Sequence, residues 1–312
     1  RYTALGERVW EKVVRPRLHA PPMLPSLDSR LLLRDSLIDR ARMVRVVGPP
    51  RIAMIEDLRE TFGTNELRYI AAHLSALGTP TQHVDVRALE WRGAQLYADG
   101  RPIDLVYRFP ELRELEELDD GACLQPLWRA FAENRVVSTV GGDFDHKSTF
   151  ELFTSPRFAS LFSAEQRATF ARHVLWTRLV AERRTEGPQG QAVDLAPFIR
   201  DHQRALVLKP NRSYGGQGVT IGPDVTASDW TARLDEALQS PGAWVVQAFR
   251  PLPRQPFPVF ENGVCSREEL AMVSGFYATD RGVTSMGRVS QQSVVNLSQS
   301  GSSLVPQVTI EG

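Results

Sequence analysis

A lysine, three closely spaced glycines and the polar residues between them are the part of this sequence best suited to chemistry. They lie in Leu206-Val207-Leu208-Lys209-Pro210-Asn211-Arg212-Ser213-Tyr214-Gly215-Gly216-Gln217-Gly218-Val219-Thr220-Ile221-Gly222. An apolar run ends in Lys209, a glycine loop follows, and a second β-like run leads away. Glycines admit positive φ and let backbone N–H groups approach anionic oxygens, while a lysine supplies a point charge. The combination suits a polyphosphate. No Gly-Lys-Ser/Thr opens a helix, so the loop is not of the Walker type. Lys209 precedes the glycines and a strand follows them, which also excludes a dinucleotide fingerprint. The glycines alone could form a plain hairpin turn. With Lys209, Asn211, Arg212 and Ser213 beside them, phosphate binding is the stronger reading, with Lys209 at the α/β phosphates and the loop amides of Ser213, Tyr214, Gly215, Gly216, Gln217 and Gly218 at the β/γ end.

Four further groups of residues have chemical readings, each beside a plainer one. Lys147, in Asp145-His146-Lys147-Ser148, opens a helix expected from Asp143 to Phe153. A lysine there opposes the helix dipole; the plain reading is a helix capped by Asp143 or Asp145 with an exposed lysine. Gly242-Ala243-Trp244-Val245-Val246-Gln247-Ala248-Phe249 reads as a strand leading into a linker rich in proline (Pro251, Pro253, Pro256, Pro258). Gln247, Ala248 and Phe249 at its end suit an adenine slot in which backbone groups read the purine edge, although a core strand has the same pattern. Arg288, on a late strand, can neutralise a transferring phosphoryl group or an acyl phosphate. Asn296 offers an oxygen to Mg²⁺ or caps a turn. Arg108, at the end of a strand, has the fork that binds a carboxylate, and an ion pair with Glu111 or Glu114 is the competing reading. Glu56, Asp57, Asn65 and Glu111 also follow strand ends, where open α/β sheets bind ligands.

The elements that must position these residues follow from periodicity. Short buried runs at 51–56, 83–86, 103–109 and 135–138, a small hairpin near Leu96-Tyr97 and Gly100, and helical spacing over 65–77 stopped by Gly78 predict a parallel, Rossmann-type sheet over 46–140. Residues 1–45 read as an irregular helical segment. Beyond about 140 the pattern predicts alternating helices over 150–205, with a polar loop at 186–190. From Leu206 onward it is mostly β, with strands at 206–209, 218–222, 243–249, 269–279, 283–289 and 293–297 and one helix at 227–239.

Composition narrows the class. The chain has 312 residues, 42% hydrophobic and 24% charged, with Lys+Arg and Asp+Glu balanced at 37 each. No global field favours nucleic acid or an anionic membrane. Cys123 and Cys265 support neither a disulfide framework nor a zinc site. No run reaches the ~20 apolar residues that span a bilayer, and no signal sequence is visible. The expectation is a cytoplasmic protein with small-molecule partners. The first residue is Arg1, so residues upstream of it are expected in the full protein.

Taken in order, these parts resemble the ATP-grasp superfamily over about 46–312. The Val-Leu-Lys-Pro and Gly-Gly-Gln-Gly-Val segment carries most of the resemblance. The ending, Gly287-Arg288-Val289-Ser290 with Val294-Val295-Asn296-Leu297-Ser298-Gln299-Ser300-Gly301, looks like circularly permuted ATP-grasp proteins related to glutathionylspermidine synthase and to carboxylate–amine ligases. The resemblance implies an α/β and α+β fold: a Rossmann-like pre-ATP-grasp domain over 46–140, then a two-lobed ATP-grasp domain over 141–312. It further implies ATP and Mg²⁺ as cofactors. An acid would be activated as an acyl phosphate and captured by an amine, releasing ADP and phosphate. Lys147 and Lys209 would neutralise phosphates, Gln247, Ala248 and Phe249 would hold adenine, and Arg288 would stabilise the acyl phosphate. Arg108 would bind the acid substrate. The sequence departs from the usual pattern because no Glu-x-Asn follows Gln247; Glu269, heading a strand, and Asn296 are the metal candidates, and further ligands would lie upstream of Arg1. A small-molecule kinase using the same ATP site and a non-catalytic ATP-binding protein are the alternatives.

Overall fold

The computed structural model describes residues 8–18, 28–59, 65–139, 146–261, 263–295 and 302–305. Short helical turns at Trp10–Val14 and Arg15–Leu18 precede α1 (Ser29–Met43), whose first turn is capped by the Asp28 carboxylate accepting from Arg30 N. Then come β1 (Ile52–Glu56), α2 (Glu66–Ala76), β2 (Thr81–Asp85), the antiparallel strands β3 (Leu89–Arg92), β4 (Gln95–Ala98) and β5 (Arg101–Ile103), β6 (Leu105–Arg108), α3 (Leu112–Leu118), α4 (Gln125–Ala132) and β7 (Val136–Val137). The strands β2-β1-β6-β7 form one sheet, and every pairing in it is parallel.

Strand β1 shows why the sheet must be covered on both faces. All five of its residues are buried, and strand side chains alternate between faces. Ile52 and Met54 enter a core with Leu37 and Ala41 of α1 and Leu67, Ala71 and Leu74 of α2. Ala53 and Ile55 enter the opposite core with Leu115 of α3, Leu127 and Ala130 of α4, and Leu89, Leu96 and Ile103 of the small sheet. A continuous apolar strand is what a doubly covered parallel sheet requires.

The second half contains α5 (Thr149–Thr154), α6 (Ala164–His173), β8 (Thr177–Leu179), the hairpin β9 (Arg184–Glu186) and β10 (Ala192–Asp194), α7 (Leu195–Asp201), β11 (Leu206–Pro210), β12 (Thr220–Ile221), α8 (Ala227–Gln239) and β13 (Trp244–Ala248). An antiparallel sheet, β12-β11-β13-β8, is covered on one face by α7 and α8. Leu206, Leu208, Trp244 and Val246 point into that core. Alternation therefore turns Lys209 and Gln247 to the opposite face, where cross-strand pairing of Gln247 with Thr177 places these three side chains together. A last antiparallel sheet follows, β14 (Arg254–Glu261), β15 (Val264–Thr279), β16 (Gly282–Ser290) and β17 (Ser302–Val305), in that order. Its β15–β16 turn reaches α1 through an ion pair, Arg281 to Asp39, at 2.7 Å.

Several expectations need correction. The stretch 150–205 is not purely helical: β8, β9 and β10 lie in it, and the polar 186–190 segment is the turn of a hairpin. The proline-rich linker is in fact β14. Pro256 and Pro258 pair with Glu269 and Arg267, and an edge strand tolerates the missing N–H groups that a central strand could not. Residues 291–294 form bends rather than a strand, and the partner of β16 is β17 instead. The helix expected from Asp143 begins only at Thr149.

Candidate functional site

The loop between β11 and β12 has the backbone its glycines predict. Gly215, Gly216 and Gly218 adopt φ of 68°, 75° and 68°, values that cost a side-chain-bearing residue roughly 1–2 kcal/mol. Gly218 is also tight, since a Cβ there would lie 2.7 Å from Pro210 Cγ. The loop closes on itself through two long bonds, Gln217 N to Tyr214 O at 3.3 Å and Val219 N to Gly216 O at 3.4 Å. The N–H groups of Gly216 and Gly218 have no hydrogen-bond partner among the described residues, which leaves them available to an anion.

Lys209 stands on β11, close before this loop in sequence. Its ammonium donates to Gln247 Oε1 at 2.6 Å, and Gln247 Nε2 donates to Thr177 Oγ1 at 2.9 Å. Thr177 in turn donates to Leu175 O at 3.0 Å, so the network has a defined direction and turns the Gln247 carbonyl toward the lysine. Burial, and then the neighbouring Lys147 ammonium, hold Lys209 below the ordinary lysine range. A desolvated lysine next to a like charge is stabilised by any polyanion that binds between them.

Lys147 stands in the turn before α5, where its Nζ donates to Ser213 O at 2.6 Å. Its own N–H donates to Asn211 O, and Ser148 N donates to Asn211 Oδ1. These bonds explain the late helix start, because tertiary partners take N–H groups at the point where sequence alone suggested a first helical turn. Asp143 and Asp145, the suggested caps, lie outside the described residues.

Arg108 approaches from the other sheet. It ends β6, and the guanidinium donates to Ser138 O at 2.8 Å, Pro110 O at 2.7 Å and Thr139 O at 3.5 Å. Of the two carboxylates considered from sequence, Glu111 acts on the Arg108 guanidinium as a nearby negative charge. Glu111 and Glu114 also build a reciprocal capping box at the start of α3. Burial pulls Arg108 below the usual arginine range, yet it stays charged at any physiological pH.

Part of this set lines one cleft of about 650 Å³, with Arg108, Glu111 and Glu116 on one side and Lys147, Arg212, Ser213 and Tyr214 on the other; Lys209, Gln247 and the three loop glycines are not among its lining residues. Tyr214, 59% exposed, donates its hydroxyl to Glu114 Oε1 at 2.9 Å and so links the glycine loop to α3. Helix α3 escaped the sequence reading, although Leu112, Leu115 and Leu118 at helical spacing signalled it. Asn211 was read only as a polar donor beside the glycines.

Other candidates fall elsewhere. The backbone N–H groups of Ala248 and Phe249 are engaged by Trp176 O at 2.9 Å and Ala205 O at 2.8 Å, and the Gln247 side chain faces Lys209 rather than an open slot. Glu269 is exposed on β15, half-buried Arg288 lies on β16 opposite Val273, and neither lines the cleft. Asn296 lies outside the described residues. Glu56 binds His83 at 2.8 Å, and Asp57 pairs with Arg87 at 2.8 Å, so both are used internally at the strand ends; Asn65 directly precedes α2 and its side chain caps no N–H.

No protein-family model matches the chain. It is 27% identical over 259 residues to a Frankia alni protein named "Putative glutamate--cysteine ligase 2-3"; the match covers 79% of this chain and 27% of that protein. The chain thus spans about a quarter of the length of the curated relative it matches. Its fold is similar to that of a glutathione synthetase-like effector (GSS30) from Globodera pallida in its apo form, with a TM-score of 0.50 at 12% identity, over 93% of this chain and 60% of the other. At that identity the likeness concerns fold alone. The mixed α/β architecture is similar to a glutathione synthetase-like fold. No helix among the described residues is long and apolar enough to cross a membrane.

Proposed function

We propose that this chain binds Mg²⁺-ATP and a small carboxylic acid for an ADP-forming, carboxylate–amine ligase reaction. The observation that carries the reading is the shared cleft, in which Arg108 faces Lys147, Ser213 and Tyr214. Lys147, Lys209 and the loop amides hold the phosphates, and Arg108 receives a carboxylate of the acid. The acid's reacting oxygen attacks the γ phosphorus, and the amine then displaces phosphate from the acyl phosphate. The chain's contribution is positioning and charge. Arg288, Glu269 and Asn296 are retained as phosphate and metal candidates from the family resemblance, and circular permutation accounts for the absent Glu-x-Asn.

The test is ADP release with Mg²⁺-ATP over panels of acids and amines. Turnover that requires both an acid and an amine, with an amide as product, supports the ligase. A stable phosphorylated product formed without any amine would sink it in favour of a kinase. Stoichiometric ATP binding without turnover across the panels would make the chain a nucleotide-binding module.

A further inference from the structure

Lys147 and Lys209 come from distant parts of the sequence, and they repel one another where they meet. Something must therefore hold the Lys147 turn against the end of β11. Asn211, buried to 5% exposure, is placed to do this. Its backbone carbonyl accepts from Lys147 N at 3.1 Å, and its Oδ1 accepts from Ser148 N at 2.9 Å. Its own N–H donates to Ala243 O at 2.7 Å, and its Nδ2 donates to Gly242 O at 2.9 Å. One residue thus joins the lysine turn, the end of β11 and the turn leading into β13. The side chain must offer an acceptor and a donor on a short stem. Asparagine does so; an ionised aspartate lacks the donor, and leucine lacks both.

We propose that Asn211 is a positioning residue that fixes Lys147 beside Lys209, so that both ammonium groups converge on one polyphosphate. The polyphosphate part rests on the ATP reading above; the lysine spacing does not. Two measurements separate them. The first uses no nucleotide: trace acetylation of Lys209 with acetic anhydride, followed across pH by mass spectrometry, in wild type, Lys147→Met, Asn211→Ala and the double variant. Lys147→Met removes the repelling charge, so the Lys209 midpoint rises. Asn211→Ala raises it in the same direction, and the double variant moves it no further than Lys147→Met alone. An unmoved midpoint in Asn211→Ala, or shifts that add in full, overturns the proposal.

The second measurement is Mg²⁺-ATP titration of the same four proteins. Each single variant weakens binding about tenfold, as expected for one charge-assisted contact, and the double variant is no weaker than Lys147→Met, the signature of coupled residues. Independent, additive losses overturn the proposal, because a merely structural asparagine would give them. Should the wild type bind no ATP, the nucleotide reading fails while the acetylation profile still decides the role of Asn211. Ser148→Pro repeats both measurements if Asn211→Ala does not fold. Ser148 has φ −63°, which proline adopts, and the change removes the N–H that Asn211 Oδ1 holds. It is expected to raise the Lys209 midpoint by a smaller shift, and no shift counts against the proposal.

Discussion

Arg108 at the end of β6 and Lys209 on β11 are both partly buried cations, but the two sheets hold them differently. Three carbonyl oxygens surround the Arg108 guanidinium and fix its plane. Its charge is permanent. Lys209 donates to an amide oxygen and has a like charge nearby, and burial lowers its proton affinity. The parallel sheet therefore offers a preformed cation, whereas the antiparallel sheet offers one whose charge is costly until an anion arrives. That difference suits a substrate carboxylate on one side and an exchanging polyphosphate on the other.

The largest expected effect tests the lysine side. Lys209→Met should weaken Mg²⁺-ATP binding on the order of 30- to 100-fold, the range for losing a charged hydrogen bond in a partly desolvated site. Equilibrium titration measures it, and unchanged affinity would return the glycine loop to a simple turn. Arg108→Gln should leave ATP affinity within about twofold but raise the KM for the acid roughly tenfold or more. An equal loss of ATP affinity in both variants would erase the distinction between the two walls.

Proton linkage sharpens the same comparison. The folded-state pKa of Lys209 lies below its unfolded value, so between the two the unfolded chain binds more protons. Stability then rises as pH climbs through that window, and the penalty of burying the charged lysine is fully present below it. Polyphosphate favours the charged form and reverses the shift. ATP binding within the window should therefore take up protons, seen by calorimetry in buffers of different ionisation enthalpy. The uptake should vanish in Lys209→Met and persist in Arg108→Gln.

The sequence made some of this legible. Lys209 and the glycines could be read because positive φ and strand alternation are local constraints, written in adjacent residues. The strands of the parallel sheet were legible for the same reason, as with the unbroken apolar run of β1. Strand β14 was obscured because Pro256 and Pro258 suggest a linker until it is known that the strand lies at an edge. The Lys147 turn was misplaced because its N–H groups bond to Asn211, a partner no local window contains. Arg108 was identified by residue type, but its carbonyl cage depends on Ser138 and Thr139, brought close only by the pairing of β6 with β7.

Gly218→Ala is the next smaller test. It places a Cβ at φ 68° and 2.7 Å from Pro210 Cγ, and should lower stability by roughly 1–2 kcal/mol. Thermal melts read the loss, and ATP titration should show weaker binding, since the strain falls on the loop proposed to cover the phosphates. Arg108-dependent acid binding should be unaffected. A melt indistinguishable from wild type would mean that the loop relaxes freely and that its backbone is not preorganised.

Tyr214→Phe probes a side-chain bond between the loop and α3, and should have the smallest effect. The hydroxyl donates to a carboxylate that also closes the α3 capping box, and that carboxylate holds the phenol above its usual range. Because Tyr214 is largely exposed, the bond adds at most about 0.5–1 kcal/mol after solvent screening, so melts should barely move. The effect belongs instead to the cleft. We expect saturating ATP to lower the KM for the acid in wild type through this bond, and in Tyr214→Phe the glycine loop and the Arg108 wall should respond separately, with no such lowering. If saturating ATP changes the KM for the acid equally in Tyr214→Phe and wild type, the two walls communicate by another route, and the Tyr214–Glu114 contact is only a surface bond.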